Sequence, residues 1–229
     1  MNHEITHGPS CAMLRVDLQP GEALVAEAGA MVARSKSIGM EVKMNAGKSP
    51  GFFATLMALL VAFIRKIIGG ETFFVNHFAG SGSVWIAPTL IGEVAHRRLD
   101  GNTTLVLSSG AYVASAGDID VKMRFGGLSG MLAKEGLFFL EITGTGDLWF
   151  NSYGGIEEVA CNGSYVVDNG HIVGYEGQLT YKMKSVGGGM MGMMASGEGL
   201  VCHFSGEGKI YIQSRNTSSL AGFVNPFLS

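Results

Sequence analysis

Residues 136–153 read GLFFLEITGTGDLWFNSY, and the same pattern occurs twice more, as ETFFVNHFAGSGSVWIAP at 71–88 and GLVCHFSGEGKIYIQSRN at 199–216. Each copy sets a G-x-G between two short apolar runs: Gly144 and Gly146, Gly80 and Gly82, Gly206 and Gly208. An apolar-aromatic-apolar triplet follows: Leu148-Trp149-Phe150, Val84-Trp85-Ile86 and Ile210-Tyr211-Ile212. Gly80 and Gly144 lie 64 residues apart, Gly144 and Gly206 62, so one unit recurs three times. The runs are short, rich in Val, Ile, Phe and Tyr, and bounded by Gly, Asn and Asp, which is a strand signature. Strand side chains alternate, placing Val84 and Ile86 on one face and Trp85 on the other. The G-x-G predicts a tight hairpin or a bulge with positive φ. A phosphate-binding glycine loop would need a helix after it, and here a strand-like run follows each pair.

A second block precedes each of these: AGAMVARSKSIGMEVKMNAG from Ala28, SGAYVASAGDIDVKMRFGG from Ser109 and NGHIVGYEGQLTYKMKSVGG from Asn169. Each opens on a glycine (Gly29, Gly110, Gly170) and ends near a Lys-Met pair: Lys43-Met44, Lys122-Met123 and Lys182-Met183. The reading is an all-β chain of three tandem modules, residues 1–99, 100–161 and 162–229. A module this small buries only about 60% of its surface alone. The modules should therefore stack as a pseudo-threefold monomer that shares its core and covers its sheet edges. The outermost modules keep open edges, so self-association is expected.

Composition narrows the class. Charged residues are 15% of the 229, and glycine is 35 of them. Hydrophobic residues are 47%, mean hydropathy is +0.27 and net charge is −3. This excludes intrinsic disorder, and the lack of a G-X-Y period excludes collagen. A sequence pI near 6.1 argues against a nucleic-acid partner. No basic-then-apolar leader opens the chain, and Cys11, Cys161 and Cys202 include no CxxC, so a cytoplasmic protein with buried thiols is expected.

The segments between the Lys-Met pairs and the G-x-G differ most. The first carries about 13 to 15 extra residues within GFFATLMALLVAFIRKII, 51–68, read as a short apolar helical insertion. It is too short to cross a bilayer, which needs roughly 20 apolar residues. Its counterparts, 125–136 and 185–199, are also Gly-rich and apolar. Together they predict an apolar rim of Phe52, Phe53, Leu56, Leu59, Leu60, Phe63, Leu128, Met131, Met190, Met191, Met193 and Met194. That rim either packs within the assembly or docks a membrane surface or protein partner, with Arg65 and Lys66 suited to anionic headgroups.

Chemistry is sparse. His77, Glu141 and His203 share one module position, which admits a metal site only if they converge. Polar residues on one strand face are the simpler reading. Asp118 and Asp120 form a D-I-D pair, and Glu157-Glu158 read as a solvated turn. No nucleophile motif occurs. Trp85, Trp149 and Tyr211 are symmetric aromatics, suited to packing or to stacking on a small ligand between modules. No enzyme activity, cofactor or metal is expected.

The stretches LQPGEALVAEAGAMVA (18–33), GGETFFVNHFAGSG (69–82), SGEGLVCHFSGEGKIYIQSRN (196–216) and the final NPF (225–227) resemble the "altered inheritance of mitochondria" family, over essentially the whole chain. The resemblance implies a β-sandwich module like that of the tryptophan RNA-binding attenuation protein (TRAP-like, double-stranded β-helix type), repeated three times. It further implies a homotrimer, three chains closing a ring of nine modules. It carries over no catalytic residues and no RNA binding. The expected function is a non-enzymatic oligomeric scaffold; the alternative is a small-ligand-binding protein with sites between modules.

Overall fold

A computed structural model of the chain describes residues 1–44, 74–125, 138–185 and 200–228. The helical insertion expected at 51–68 lies outside the described residues. The first third contributes β1 (Asn2–Thr6), β2 (Met13–Leu18), β3 (Ala23–Glu27), β4 (Met31–Arg34), β5 (Ile38–Met44), β6 (Phe74–Gly80) and β7 (Gly82–Ile86). The middle contributes β8 (Val94–Asp100), β9 (Leu105–Ser108), β10 (Tyr112–Phe125) and β11 (Phe138–Asn151). The last third contributes β12 (Ile156–Asp168), β13 (Ile172–Ser185), β14 (Leu200–Gln213) and, among the described residues, one α-helix, α1 (Thr217–Val224). The module boundaries expected after residues 99 and 161 therefore fall inside β8 and β12.

Strand periodicity follows from side-chain alternation. In β2, MLRVDL, Leu14, Val16 and Leu18 are buried while Met13, Arg15 and Asp17 are half-exposed. Every strand ladder is antiparallel. One sheet runs β1-β2-β7-β4; the larger runs β12-β14-β13-β9-β11-β10-β3-β6-β5, with β8 also on β11.

The G-x-G does not reverse the chain. In β11 and β14 the strand continues through it, and in the first copy it separates β6 from β7. Gly144 has φ 107° and Gly206 φ 122°. A Cβ at either would meet the Asp118 or Gln178 carbonyl oxygen at 2.0 or 2.1 Å. Glycine is needed because the two strands of the hairpin press together backbone to backbone at these positions.

Register corrects one alignment. Gly80 pairs with Ile38, Gly144 with Ile119 and Gly206 with Leu179. Glu41-Val42, not Lys43-Met44, therefore corresponds to Lys122-Met123 and Lys182-Met183. A slip of two keeps every side chain on its face, so hydrophobic pattern alone did not detect it. Glu157 and Glu158 lie on β12, paired with Ile212 and Tyr211, and not in a turn. Lys209 Nζ lies 2.7 Å from Glu158 Oε1.

The three repeats meet at matching places. Ala26 and Val25 of β3 pair with Ala114 and Ser115 of β10. Leu107, Val106 and Leu105 of β9 pair with Gly174, Tyr175 and Glu176 of β13. The cores are shared across these junctions. Leu14, Val16, Phe78 and Ile86 pack with Val113, Ala114 and Trp149. Leu105, Leu140, Ile142 and Phe150 pack with Val75, Val173 and Tyr211. Val106 and Phe139 pack with Ile172, Tyr175, Phe204 and Ile210.

Candidate functional site

The two closed junctions define what an open one looks like. In β10 and β13 the contact residues are Ala114 and Gly174, which pair with Trp149 and Tyr211 on their own return strands. The corresponding residue of the first repeat is Ala33, which pairs with Trp85. Beyond it β4 has no strand partner among the described residues, and Val32 is 57% exposed. The receiving residues of closed junctions are Ala26 and Leu107, opposite Asn76 and Leu140. Their counterpart is Val167, opposite Cys202. Beside it Val166 is 51% exposed, and β12 pairs with β14 alone among the described residues. Among the described residues, one edge is thus open at Ala33-Arg34, here termed the donor edge, and another at Val166-Val167, the acceptor edge. Met40 and Val42 are exposed on the donor side, Tyr165 on the acceptor side. Unpaired edges with apolar side chains are templates for association.

The closed junctions carry different chemistry. At the first, the His3 ring centroid lies 4.3 Å from that of His96 and 5.2 Å from Trp149. His96 Nε2 lies 2.9 Å from Asp147 Oδ1, and Arg98 pairs with the other carboxylate oxygen. Burial, reinforced by the neighbouring His96, holds the His3 pKa below its usual value, against the pull of Asp147. At the second junction Arg97 Nη2 donates to Glu176 Oε1 at 2.8 Å, with Glu176 only 5% exposed. Burial beside Glu176 pushes the Tyr211 phenol far above its usual range.

The symmetric aromatics differ in access. Trp149 and Tyr211 are buried, Trp149 completely. Trp85, on the open side, is half-buried with the Arg15 guanidinium 5.5 Å over its ring. His77, Glu141 and His203 do occupy equivalent positions, opposite Glu41, Lys122 and Lys182. They sit on three separate hairpins, and among the described residues no three His, Cys, Asp or Glu side chains are grouped to hold a metal. Burial lowers the His77 pKa, helped by Lys43. Asp120 pairs with Lys122 at 3.1 Å. Cys161 and Cys202 are buried free thiols, and burial pushes Cys202 up to about 11, so it is protonated at neutral pH.

The expected rim residues Phe52, Phe53, Leu56, Leu59, Leu60, Phe63, Leu128, Met131, Met190, Met191, Met193 and Met194 lie outside the described residues. Their segments join the ends of equivalent strand pairs, Met44/Phe74, Phe125/Phe138 and Ser185/Leu200. The edge residues Ala33, Arg34, Val166 and Val167 escaped sequence reading. Alignment on Trp85, Trp149 and Tyr211 carries that signal, but only strand order tells which positions go unpaired.

The family described as mitochondrial biogenesis AIM24 matches residues 3–215. The chain belongs to that family. This AIM24-family chain is 30% identical over 233 aligned residues to an uncharacterized protein of Streptococcus pyogenes serotype M6, covering all of this chain and 91% of that one. It also superposes on the X-ray crystal structure of protein SPYM3_0169 from Streptococcus pyogenes, with a TM-score of 0.78 and 28% identity over 99% of both chains. Among the described residues of the AIM24-family chain, no helix is long and apolar enough to cross a membrane.

Proposed function

We propose that this protein is a non-enzymatic, cytoplasmic scaffold that assembles head to tail with copies of itself. The observation that carries this reading is the match between two of the open edges, Ala33-Arg34 of β4 and Val166-Val167 of β12, and the two closed junctions. Ala33-Arg34 of one copy can meet Val167-Val166 of the next in the register that Ala114-Ser115 uses on Ala26-Val25. A heterologous contact of this kind either closes a ring or propagates. Three chains closing a ring of TRAP-like modules is the arrangement the family resemblance favours. The apolar segments 51–68, 125–136 and 185–199 are then the docking elements, for a membrane surface or a protein partner.

Light scattering at micromolar concentration tests the assembly. Wild type should run at three times the 24.1-kDa chain mass, and Val166→Lys, which puts a charge on the acceptor edge, should run as a folded monomer. A monomeric wild type overturns the reading. Flotation on anionic vesicles tests the docking. Replacing 52–64 by a Gly-Ser linker should abolish flotation and leave the protein soluble; wild type that never floats turns the search to soluble partners.

A further inference from the structure

The chain leaves each repeat along the same path. After β7, residues 87–93 cross to β8; after β11, residues 152–155 cross to β12. Equivalent backbone hydrogen bonds fix both crossings. Ala12 N donates to Gly92 O at 3.1 Å, and its counterpart Glu93 N donates to Gly154 O at 2.9 Å. Ser152 N donates to Glu93 O at 3.0 Å, and its counterpart Ser214 N, after β14, donates to Gly155 O at 3.0 Å. Residues 214–216 therefore set out on the path that twice before led onto the next repeat. Here that path leads into α1 in place of another strand.

The start of α1 is held firmly. Asn216 Oδ1 accepts from Ser219 N at 2.7 Å, and Asn216 Nδ2 lies 3.0 Å from His171 Nε2. His171 Nδ1 is 2.6 Å from Gln213 O. His171 closes the turn Asn169–His171 that directly follows β12, whose Val166-Val167 form the acceptor edge. The helix thus departs from beside the edge a second copy would pair with. It buries none of its residues. Phe223 is 71% and Phe227 75% exposed, their rings 5.7 Å apart, and Leu220 extends the same stripe one turn back. TSSLAGFV carries no charge, so the contact it favours is apolar.

We propose that α1 and the Asn225–Leu228 segment after it are a crossing arm that packs on the N-terminal strands of a second copy of this chain. The inference rests on the head-to-tail reading and adds a contact that the strand edges do not supply. Two internal crossings from one repeat to the next are its precedent, and the anchored, unburied apolar stripe is its second observation. A stripe of this size adds to an interface mainly through its aromatic anchors.

The test is photo-crosslinking with p-benzoylphenylalanine in place of Phe223, in a mixture of unlabelled and nitrogen-15-labelled protein. Mixed-label products joining position 223 to residues 1–44 support the proposal. Products confined to one chain, or to lipid when vesicles are present, overturn it. The F223S/F227S double variant should keep its far-UV circular dichroism spectrum and raise the dissociation constant of the assembly by ~10-fold or more. An unchanged constant in an assembled protein overturns the arm alone, whereas a monomeric wild type removes the head-to-tail reading with it.

Discussion

The imidazole of His3 lies 4.3 Å, centre to centre, from the imidazole of His96, the two planes tilted by 49°, and both rings lie against the indole of Trp149. β1, an edge strand with β2 as its sole partner among the described residues, is thereby tied to the junction between the first and second repeats. The N-terminal ammonium of Met1 adds an ion pair to Glu22.

Burial favours the neutral form of His3, as it does of His77. A histidine whose folded pKa lies below 6.5 binds fewer protons folded than unfolded, so its contribution is complete at higher pH and is lost as pH falls below about 6.5. The melting temperature should drop between pH 7.5 and 5.5, and His3→Gln should flatten that drop. The lowered carboxyls of Asp17 and Asp100 act only at still lower pH. Melts of wild type and His3→Gln at both values check this; identical slopes would dismiss it.

Trp149 is fully buried at the centre of the first shared core, and its indole Nε1 has no hydrogen-bond partner among the described residues. Trp149→Ala should cost about 3–5 kcal/mol in urea unfolding. Trp149→Phe should cost clearly less, since it keeps a ring and forfeits no hydrogen bond.

Arg97 and Glu176 occupy at the second junction the places that Val16 and Ala116 hold at the first. The Arg97 side chain is 37% exposed and Glu176 almost wholly buried. Arg97→Val should therefore be the costlier single change, about 3 kcal/mol, because it strands a buried carboxylate; Glu176→Ala leaves a guanidinium that water reaches. The double variant, which copies the first junction, should recover most of the loss. A double-mutant cycle by chemical denaturation reads all three.

At Gly144, alanine meets both positive φ and a carbonyl oxygen 2.0 Å from its Cβ. Gly144→Ala should cost at least about 2 kcal/mol. At Gly110 a Cβ meets nothing within 4 Å, and Gly110→Ala should be neutral or slightly stabilising. Thermal melts of the pair separate the two cases.

Cys11 is exposed while Cys161 and Cys202 are buried. Native protein should present one thiol to an aromatic disulfide reagent rapidly, and all three after denaturation. Three fast thiols would contradict the burial.

The strand class and the positive-φ glycines Gly144 and Gly206 were legible because period-two alternation and glycine's missing Cβ are local properties. The equivalence of His77, Glu141 and His203 was legible for the same reason. The Lys43-Met44 alignment misled because a slip of two residues preserves which face each side chain takes. Glu157-Glu158 read as a turn because local polarity outweighed the pairing of β12 with β14. The apolar segments stood out by composition, which signals docking or burial without distinguishing them.

The amino-acid sequence by itself determined that this chain folds as β-strands, with positive φ at Gly80, Gly144 and Gly206; it did not show that the apolar runs on either side of Gly144 and Gly206 join into single 14-residue strands. The tertiary structure decided which edges meet. Backbone hydrogen bonds between strands are blind to side-chain identity, so Ala33 and Ala114 look alike in sequence. Only the order of strands shows that Ala114 is covered by β3 while Ala33 and Val166 have no second strand partner among the described residues. The same holds for His3 and Trp149, far apart in sequence and brought together by the junction their strands enclose.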